Sequence, residues 1–220
     1  MDIELVFSLL AVVIVLLVGF PVHEFSHALA AYRLGDSTAR YQGRLTLNPI
    51  VHFDPIGALM LVISSFVGFF IGWAKPTPVN PYNLRYGRRG EALVAAAGPI
   101  SNLIMAAAVA IPVRLIWSDA GMSNIVFATP IGTALYDIAW FFVAINAFLF
   151  MFNLLPIPPL DGWKVLMGVV DARTAYNLRQ FEQYGFVLLL ILILVGGRII
   201  GPIGFFVLDL LVGGARPVAL

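Results

Sequence analysis

Four long stretches of the chain contain no charged residue, and this feature limits the fold more than any other. The stretches are Leu5–Val22, Ile56–Ala74, Ala92–Val113 and Ile138–Leu160, and each is at least 18 residues long. A helix needs roughly 20 apolar residues to cross the hydrocarbon core of a bilayer. These stretches therefore predict an integral membrane protein rather than a soluble globular domain.

The composition excludes several classes of function. Hydrophobic residues make up 60% of the 220 residues and charged residues only 11%, whereas charged residues make up roughly 25% of a soluble domain. The 13 Lys and Arg residues almost balance the 12 Asp and Glu residues, for a net charge of +1, so we expect no nucleic-acid partner. The chain has no cysteine, which excludes a disulfide scaffold, a thiolate metal site and a cysteine nucleophile. Any metal ion must be held by His, Asp or Glu.

The pattern predicts an all-α integral membrane protein, a bundle of about 4–6 transmembrane helices with a short extended or re-entrant segment after the first helix. We expect a single domain over residues 1–220, since almost all of the chain lies in or near lipid and no internal repeat is visible. The first helix is predicted from Leu5 to Leu34, with Pro21 as the position for a kink and Gly35 just after its end.

Two segments follow the first helix. Tyr41–Leu47 contains strand-forming residues between turn signals and is predicted as a short extended segment, which could hold an unwound peptide by strand addition. Ile56–Ala74 is apolar enough to cross the membrane, but both of its flanks carry Lys or Arg, which the positive-inside rule places in the cytoplasm. A re-entrant segment fits both flanks, and a crossing in which one flank breaks the rule is the alternative.

Further crossings are predicted at Ala92–Trp117 and Ile131–Phe152, joined by a short polar loop, Asp119–Thr129, on the outer face. A proline cluster at 153–162 then breaks the helix, and the amphipathic stretch Trp163–Arg179 follows. The apolar runs within residues 184–212 are expected to form either a tight helical hairpin or one long crossing.

Two of the three histidines form an H-E-x-x-H motif, with His23 and His27 four residues apart and Glu24 after the first. Positions i and i+4 lie one turn apart on the same helix face, so both imidazoles can bind one metal ion with Glu24 beside them. Each ionisable side chain inside a membrane segment costs about 2.5–3.5 kcal/mol, so three neighbouring ones need a common purpose. The alternatives are a polar cluster that packs helices together and a proton relay.

A catalytic zinc ion takes three protein ligands and keeps a fourth position for water, so a third ligand must come from elsewhere. The candidates are His52 and the carboxylates. Asp161 is the carboxylate that follows a spanning segment in an apolar, proline-broken context, NLLPIPPLDG at 153–162. The alternative reading of Asp161 is a helix N-cap or turn residue. For His52, with Asp54 nearby, the favoured interpretation is a loop histidine at the membrane interface.

Three motifs carry a resemblance to a known family: HEFSH at 23–27, AAGPISN at 96–102 and NLLPIPPLDG at 153–162. With the loops GRLTLNPIVHFDPIG and GWAKPTPVNPYNLR, they cover most of the chain from residue 22 to about residue 165. In order and spacing they resemble the site-2 protease family of intramembrane zinc metalloproteases, in its compact bacterial or archaeal form. The resemblance implies that His23, His27 and Asp161 bind one zinc ion per chain and that Glu24 is the general base.

The resemblance also implies regulated intramembrane proteolysis, with transmembrane protein substrates in the lipid bilayer of a prokaryotic cytoplasmic membrane. The active site is expected to open toward the cytoplasm. Catalysis would release a cytoplasmic domain from a membrane-tethered regulator or trim remnants of signal peptides. The client, the cleavage site and the oligomeric state do not follow from the sequence.

Two asparagines lie in apolar surroundings near these motifs. Asn102 and Asn153 are similar in position to family residues near the scissile peptide, and an amide donor there could stabilise an oxyanion. The alternative for each is a hydrogen bond between membrane helices. Gly98, beside Pro99, is predicted to permit close approach of two helices.

Two competing classes of function remain at this point. A membrane metal or ion transporter would also use broken helices and intramembrane carboxylates, but it predicts repeat symmetry and gives no reason for a glutamate directly after His23. A non-cleaving relative would bind a membrane client without hydrolysis, which the intact set of His23, Glu24, His27 and Asp161 argues against.

Overall fold

A computed structural model describes residues 3–57, 59–60, 74–195 and 197–218. Over these residues the chain forms helices and irregular connections, with no β-strand. Three of the helical runs are long and apolar enough to cross a membrane: Val12–Arg33, Arg88–Ser118 and Pro130–Asn153. The prediction of an all-α membrane protein is confirmed.

The first helical run is continuous from Ile3 to Arg33 and contains α1 (Ile3–Ile14), a π-helical turn (Val15–Gly19) and α2 (Phe20–Arg33). The irregularity lies in the π turn, which ends two residues before Pro21, the predicted position for a kink. After α2 the chain turns at Gly35, which has a φ of 108°, a value that favours glycine. The predicted extent of this helix and its glycine terminus are confirmed.

The connection after α2 contains two single-turn helices, α3 (Thr38–Tyr41) and α4 (Pro49–His52). The extended segment predicted at Tyr41–Leu47 is not a strand, because Tyr41 ends α3 and Gly43 then reverses the chain with a φ of 69°. Most of the predicted re-entrant segment Ile56–Ala74, namely residues 58 and 61–73, lies outside the described residues.

The buried carboxylate of Asp36 explains the helical turn in this connection. It accepts hydrogen bonds from the Thr38 backbone N–H at 3.1 Å and from the Thr38 hydroxyl at 2.5 Å. Such local bonds favour a turn over an extended strand. The residues after this turn fold back on it, because the N–H groups of Gly43 and Arg44 donate to the carbonyls of Arg40 and Ala39 at 3.0 and 2.8 Å, contacts that the sequence pattern does not reveal.

Helix α5 (Arg88–Ser118) is the central helix and packs against α2, α7 (Pro130–Asn153) and α8 (Asp161–Val169). The helices predicted at Ala92–Trp117 and Ile131–Phe152 are confirmed. The connection predicted as a polar loop instead holds α6 (Ala120–Phe127), because Asp119 caps it by accepting from the Met122 N–H at 2.8 Å.

The proline-rich segment after α7 is irregular, and helix resumes at Asp161 in α8. The rest of the chain forms α9 (Ala172–Leu178), a 3-10 helix (Arg179–Tyr184), α10 (Gly185–Val195) and α11 (Gly197–Val212). Whether α10 and α11 act as a hairpin or one crossing stays a prediction.

Small side chains fill the main core between α5, α7 and α11. Without a hydrophobic driving force between helices in lipid, small residues allow the backbones to approach closely and pack. The buried members of this core are Ala106, Ala110, Val113, Tyr136, Val143, Ala147, Leu208, Val212 and Ala215. This packing holds α5 and α7 side by side, with the first helix against both.

Candidate metal centre

His23 and His27 lie one turn apart on the buried face of α2, and their imidazoles meet edge to face. Their ring planes are inclined by 84°, and their Nε2 atoms are 3.0 Å apart. Oδ2 of Asp161 lies 3.3 Å from Nε2 of His23 and 3.2 Å from Nε2 of His27. Asp161 comes 134 positions after His27 in the chain, and the structure brings all three predicted ligands to one point.

Asp161 reaches this point because α8 begins directly after the proline-rich break. Gly162, the next residue, packs against the backbone carbonyls of Leu154 and Leu155, where a Cβ atom would collide with both. Only glycine allows this close approach. The combination of Asp and Gly therefore places the carboxylate beside α2.

The protonation of His27 follows from a backbone contact. Its Nδ1 lies 2.7 Å from the carbonyl oxygen of Val94 on α5, and a carbonyl can only accept. Nδ1 therefore carries the proton, and Nε2 presents a lone pair toward Asp161. The second nitrogen of a metal-binding histidine is commonly held in this way.

His23, like His27, is held by a residue of α5. Its Nδ1 lies 2.5 Å from Oδ1 of Asn102, which is fully buried. With Asn102 presenting its oxygen, Nδ1 of His23 donates and Nε2 is again free of a proton. With both rings neutral, two imidazole lone pairs and a carboxylate oxygen face one another.

This donor set fits a zinc ion. Two neutral imidazoles and a carboxylate at a largely buried point are stabilised by a cation or a proton among them, and two imidazoles with one carboxylate are a known catalytic zinc ligand set that leaves a fourth position open. Among the described residues, these three form the single group of His, Asp or Glu side chains whose ligand atoms converge, all within 4.8 Å of one another.

Gly98 of α5 faces the same point. A Cβ atom there would lie 2.6 Å from Nε2 of His23 and would also collide with the His27 ring. The prediction that Gly98 permits close approach of two helices is confirmed, and the neighbouring helix is the one that carries the histidines.

Glu24 lies beside the histidines and is held by a loop that the sequence motif does not include. Its Oε2 accepts a hydrogen bond of 2.7 Å from the backbone N–H of Thr77, and the Thr77 hydroxyl donates to the Glu24 carbonyl at 3.0 Å. Thr77 lies between Pro76 and Pro78, so it supplies the one backbone donor of that tripeptide. The role of Glu24 as general base stays a prediction.

Comparison with known proteins identifies the family of this chain. Residues 11–196 match the sequence model of peptidase family M50. The chain belongs to this family, the site-2 proteases. No solved structure matches the chain.

Three relatives of this M50 chain show how far the likeness extends. YwhC of Bacillus subtilis is 39% identical over 196 residues, which are 89% of this chain and 83% of YwhC. Rip2 of Mycobacterium tuberculosis is 32% identical over 183 residues, 81% of this chain but only 64% of Rip2. MJ0611 of Methanocaldococcus jannaschii is 31% identical over 166 residues, 73% of this chain and 72% of MJ0611. Their names assign zinc metalloprotease activity provisionally.

The two asparagines predicted as catalytic in this M50 chain have different surroundings. Asn102 contacts His23, and its Nδ2 donates to Oδ1 of Asn146 at 2.9 Å, so its described contacts favour the interhelical alternative. Asn153 donates to the carbonyl of Leu149, one turn earlier in its own helix, at 2.9 Å. An oxyanion role for either residue stays a prediction.

His52 lies apart from the metal centre. It ends α4, is 1% exposed, and its Nε2 lies 2.8 Å from the Thr46 carbonyl. Asp54 accepts from the backbone N–H groups of Ile56 and Gly57. Neither residue belongs to the converging group of ligands. His52 is buried at the end of a helical turn rather than in a loop, and its location at the membrane interface stays a prediction.

Proposed function

We propose that this chain is an intramembrane zinc metalloprotease, which hydrolyses peptide bonds in or near the transmembrane segments of membrane-tethered proteins. The observation that carries the proposal is the convergence of the Nε2 atoms of His23 and His27 with Oδ2 of Asp161. One zinc ion per chain would be held by these three residues. Membership of peptidase family M50 supports a hydrolytic role over transport.

The chemistry is the addition of one water molecule to a peptide bond, which yields a carboxylic acid and an amine. When bound, zinc supplies a Lewis acid that polarises the scissile carbonyl and lowers the pKa of bound water. Glu24 takes the proton of the attacking water and passes it to the departing amide nitrogen. The Thr77 N–H fixes one carboxylate oxygen of Glu24 and leaves the other for this transfer.

The charges around the helix ends support a site that opens toward the cytoplasm. Arg33 ends α2, and Arg88 and Arg89 begin α5, whereas Asp119 follows the other end of α5. The positive-inside rule places the arginine end in the cytoplasm. His27 lies six residues before Arg33, which corresponds to about 9 Å along the helix axis.

The position of the site supports a substrate that enters from the membrane. A transmembrane helix satisfies its own backbone hydrogen bonds, so it must unwind locally before its carbonyl can reach the site. We therefore place the function in regulated intramembrane proteolysis, in a prokaryotic cytoplasmic membrane, with the release of cytoplasmic domains or the trimming of signal-peptide remnants.

Metal analysis tests the proposed ligands. Detergent-purified wild type is expected to contain about one zinc ion per chain, while His23→Ala and Asp161→Ala contain almost none. His52→Ala and Asp171→Ala are the matched controls, because they remove the same residue types outside the centre, and both should retain zinc. Wild type without zinc after metal-replete purification would refute the proposed centre.

A cleavage assay tests the reaction. A membrane-tethered reporter with one transmembrane helix and a cytoplasmic tag, reconstituted with the protein in liposomes, should be cut by wild type. Glu24→Gln removes the base but none of the ligands, so zinc should stay and cleavage should stop. Zinc-loaded wild type that cuts no member of a panel of such reporters would argue for the non-cleaving role.

A further inference from the structure

Two fully buried amide side chains lie behind the metal centre, Asn102 on α5 and Asn146 on α7. Polar side chains at such positions within membrane helices require hydrogen-bond partners. Asn102 touches a predicted zinc ligand directly, whereas Asn146 does not. Neither the H-E-x-x-H motif nor the proline-rich motif includes Asn146.

The hydrogen bonds of these residues form one directed chain. Nδ2 of Asn146 lies 2.9 Å from the Phe142 carbonyl, Nδ2 of Asn102 lies 2.9 Å from Oδ1 of Asn146, and Oδ1 of Asn102 lies 2.5 Å from Nδ1 of His23. The carbonyl of Phe142 can only accept, so Asn146 must turn its NH2 group toward it. Each later bond then has a single allowed direction.

We propose that Asn146 is a positioning residue that acts through Asn102 to keep the proton of His23 on Nδ1, so that Nε2 is free to bind zinc. This inference rests on the zinc centre of the proposed function and assigns a role to a residue outside the motifs. Its basis is the directed chain of hydrogen bonds that begins at Phe142.

The two histidines differ in how their orientation is fixed. His27 faces a backbone carbonyl, which cannot exchange its acceptor for a donor. His23 faces an amide, whose oxygen and NH2 group have nearly the same shape and can exchange by rotation. Without Asn146, a rotated Asn102 would present NH2 to Nδ1 of His23, and the proton would move to Nε2. That tautomer cannot bind zinc through Nε2.

The first helical run approaches the Asn146 amide at a glycine. Gly19, the last residue of the π turn, lies so close that an added Cβ would be 3.4 Å from Oδ1 of Asn146. The amide is thus enclosed by α5, α7 and the π turn, and π turns occur frequently at functional sites. Within this enclosure, the Phe142 carbonyl selects the orientation of the Asn146 amide.

The test measures zinc affinity by competition with a chelator in detergent-purified protein. Asn146→Leu replaces the amide by an apolar side chain of similar size, and we expect a loss of about 10–100-fold in affinity, as for other residues that orient metal ligands. Ser101→Ala is the matched control. The Ser101 hydroxyl lies on α5 and is buried like the Asn146 amide, but it donates to the Gly98 carbonyl and not to the chain of hydrogen bonds. The Ser101→Ala variant should bind zinc like wild type.

A rescue experiment separates orientation from packing. In the double variant Asn146→Leu with Asn102→Asp, both oxygens of the new carboxylate are acceptors, so His23 must donate from Nδ1 without help from Asn146. Zinc affinity should return to within a few-fold of wild type. A purely structural role predicts the opposite, because the second change adds a buried charge and should lower affinity further.

The tautomer can also be observed without metal. The chain has three histidines, so 15N-histidine NMR of the metal-free protein should resolve them, with Nδ1–H for His23 in wild type and a change in Asn146→Leu. If Asn146→Leu does not fold, Asn146→Ala is expected to show the same loss of zinc affinity and the same change in the His23 tautomer. The inference is overturned by wild-type zinc affinity in folded Asn146 variants, or by a double variant no better than the single one. Wild type that binds no zinc would instead overturn the proposed function.

Discussion

The backbone N–H of Thr77 lies 2.7 Å from Oε2 of Glu24, and the Thr77 hydroxyl lies 3.0 Å from the Glu24 carbonyl. The loop before α5 is thereby attached to α2 at the residue after the first histidine. A hydrogen bond to a charged group contributes about 1.5–3 kcal/mol. The contact is therefore strong enough to fix the Glu24 carboxylate in one orientation.

Replacement of Thr77 by proline should slow peptide hydrolysis by about 10–100-fold, which is the kinetic equivalent of that hydrogen bond. Thr77→Pro removes the N–H, whereas Thr77→Ala keeps it and removes only the hydroxyl. The alanine variant should therefore lose much less activity. Both should retain zinc, since neither change touches a ligand, and kcat/KM for a membrane-tethered reporter is the measurement. Equal rates for the two variants would contradict the assignment to the N–H.

Gly98→Ala should abolish zinc binding although it removes no ligand. The added methyl group would lie 2.6 Å from Nε2 of His23, inside the space that the ion requires. Gly201→Ala is the matched control, because a Cβ there meets nothing within 4 Å. Zinc content by elemental analysis distinguishes the two, and full zinc occupancy in Gly98→Ala would show that the ligands converge elsewhere.

Local patterns account for the parts of the structure that the sequence predicts well. The i, i+4 spacing of His23 and His27 determines their common face as soon as α2 is helical. The extents of α5 and α7 follow from apolar length. Asp161 makes a long-range contact, and the sequence predicts it because Asp161 is a carboxylate after a proline-broken apolar segment and because the motifs resemble those of a known family.

Other features depend on tertiary contacts that no spacing encodes. Thr77 lies 53 residues from Glu24 in the chain, and Asn146 lies 44 residues from Asn102. The extended segment predicted at Tyr41–Leu47 was wrong because the N–H groups of Gly43 and Arg44 turn back and donate to the carbonyls of Arg40 and Ala39. A proline-flanked threonine and an asparagine inside an apolar helix are the signals in the sequence for the contacts of Thr77 and Asn146.

Removal of zinc should lower the thermal stability of wild type. A ligand that binds only the folded state stabilises it by about 4 kcal/mol at a free concentration 1,000 times its Kd. The melting temperature should therefore fall on chelation and return on addition of zinc. His27→Ala should melt at the same temperature with and without zinc, because its centre lacks a ligand. If the zinc content of wild type changes on chelation but its melting temperature does not, the result would contradict a centre that links α2 to α8.

The stability of the fold should depend on pH through Asp36, which is fully buried. Burial raises the pKa of Asp36, but hydrogen bonds from Thr38, Asn83 and the Asn80 N–H outweigh this effect, and the pKa lies below its ordinary value. The unfolded chain therefore binds a proton at a higher pH than the folded one. The stabilisation is fully present well above pH about 4, the ordinary value, and is lost as pH falls from there toward the lowered pKa.

Asp36→Asn isolates this contribution. At pH 7 wild type should be more stable than the variant by about 1.5–3 kcal/mol, the scale of a hydrogen bond to a charged group. The difference should shrink below pH about 4 as the carboxylate becomes protonated. Thermal unfolding of both proteins in detergent, followed by circular dichroism from pH 7 to pH 3, measures it. A difference that stays constant over this range would show that the variant is less stable because the amide fits the site less well. The charge of Asp36 would then not stabilise the turn after α2.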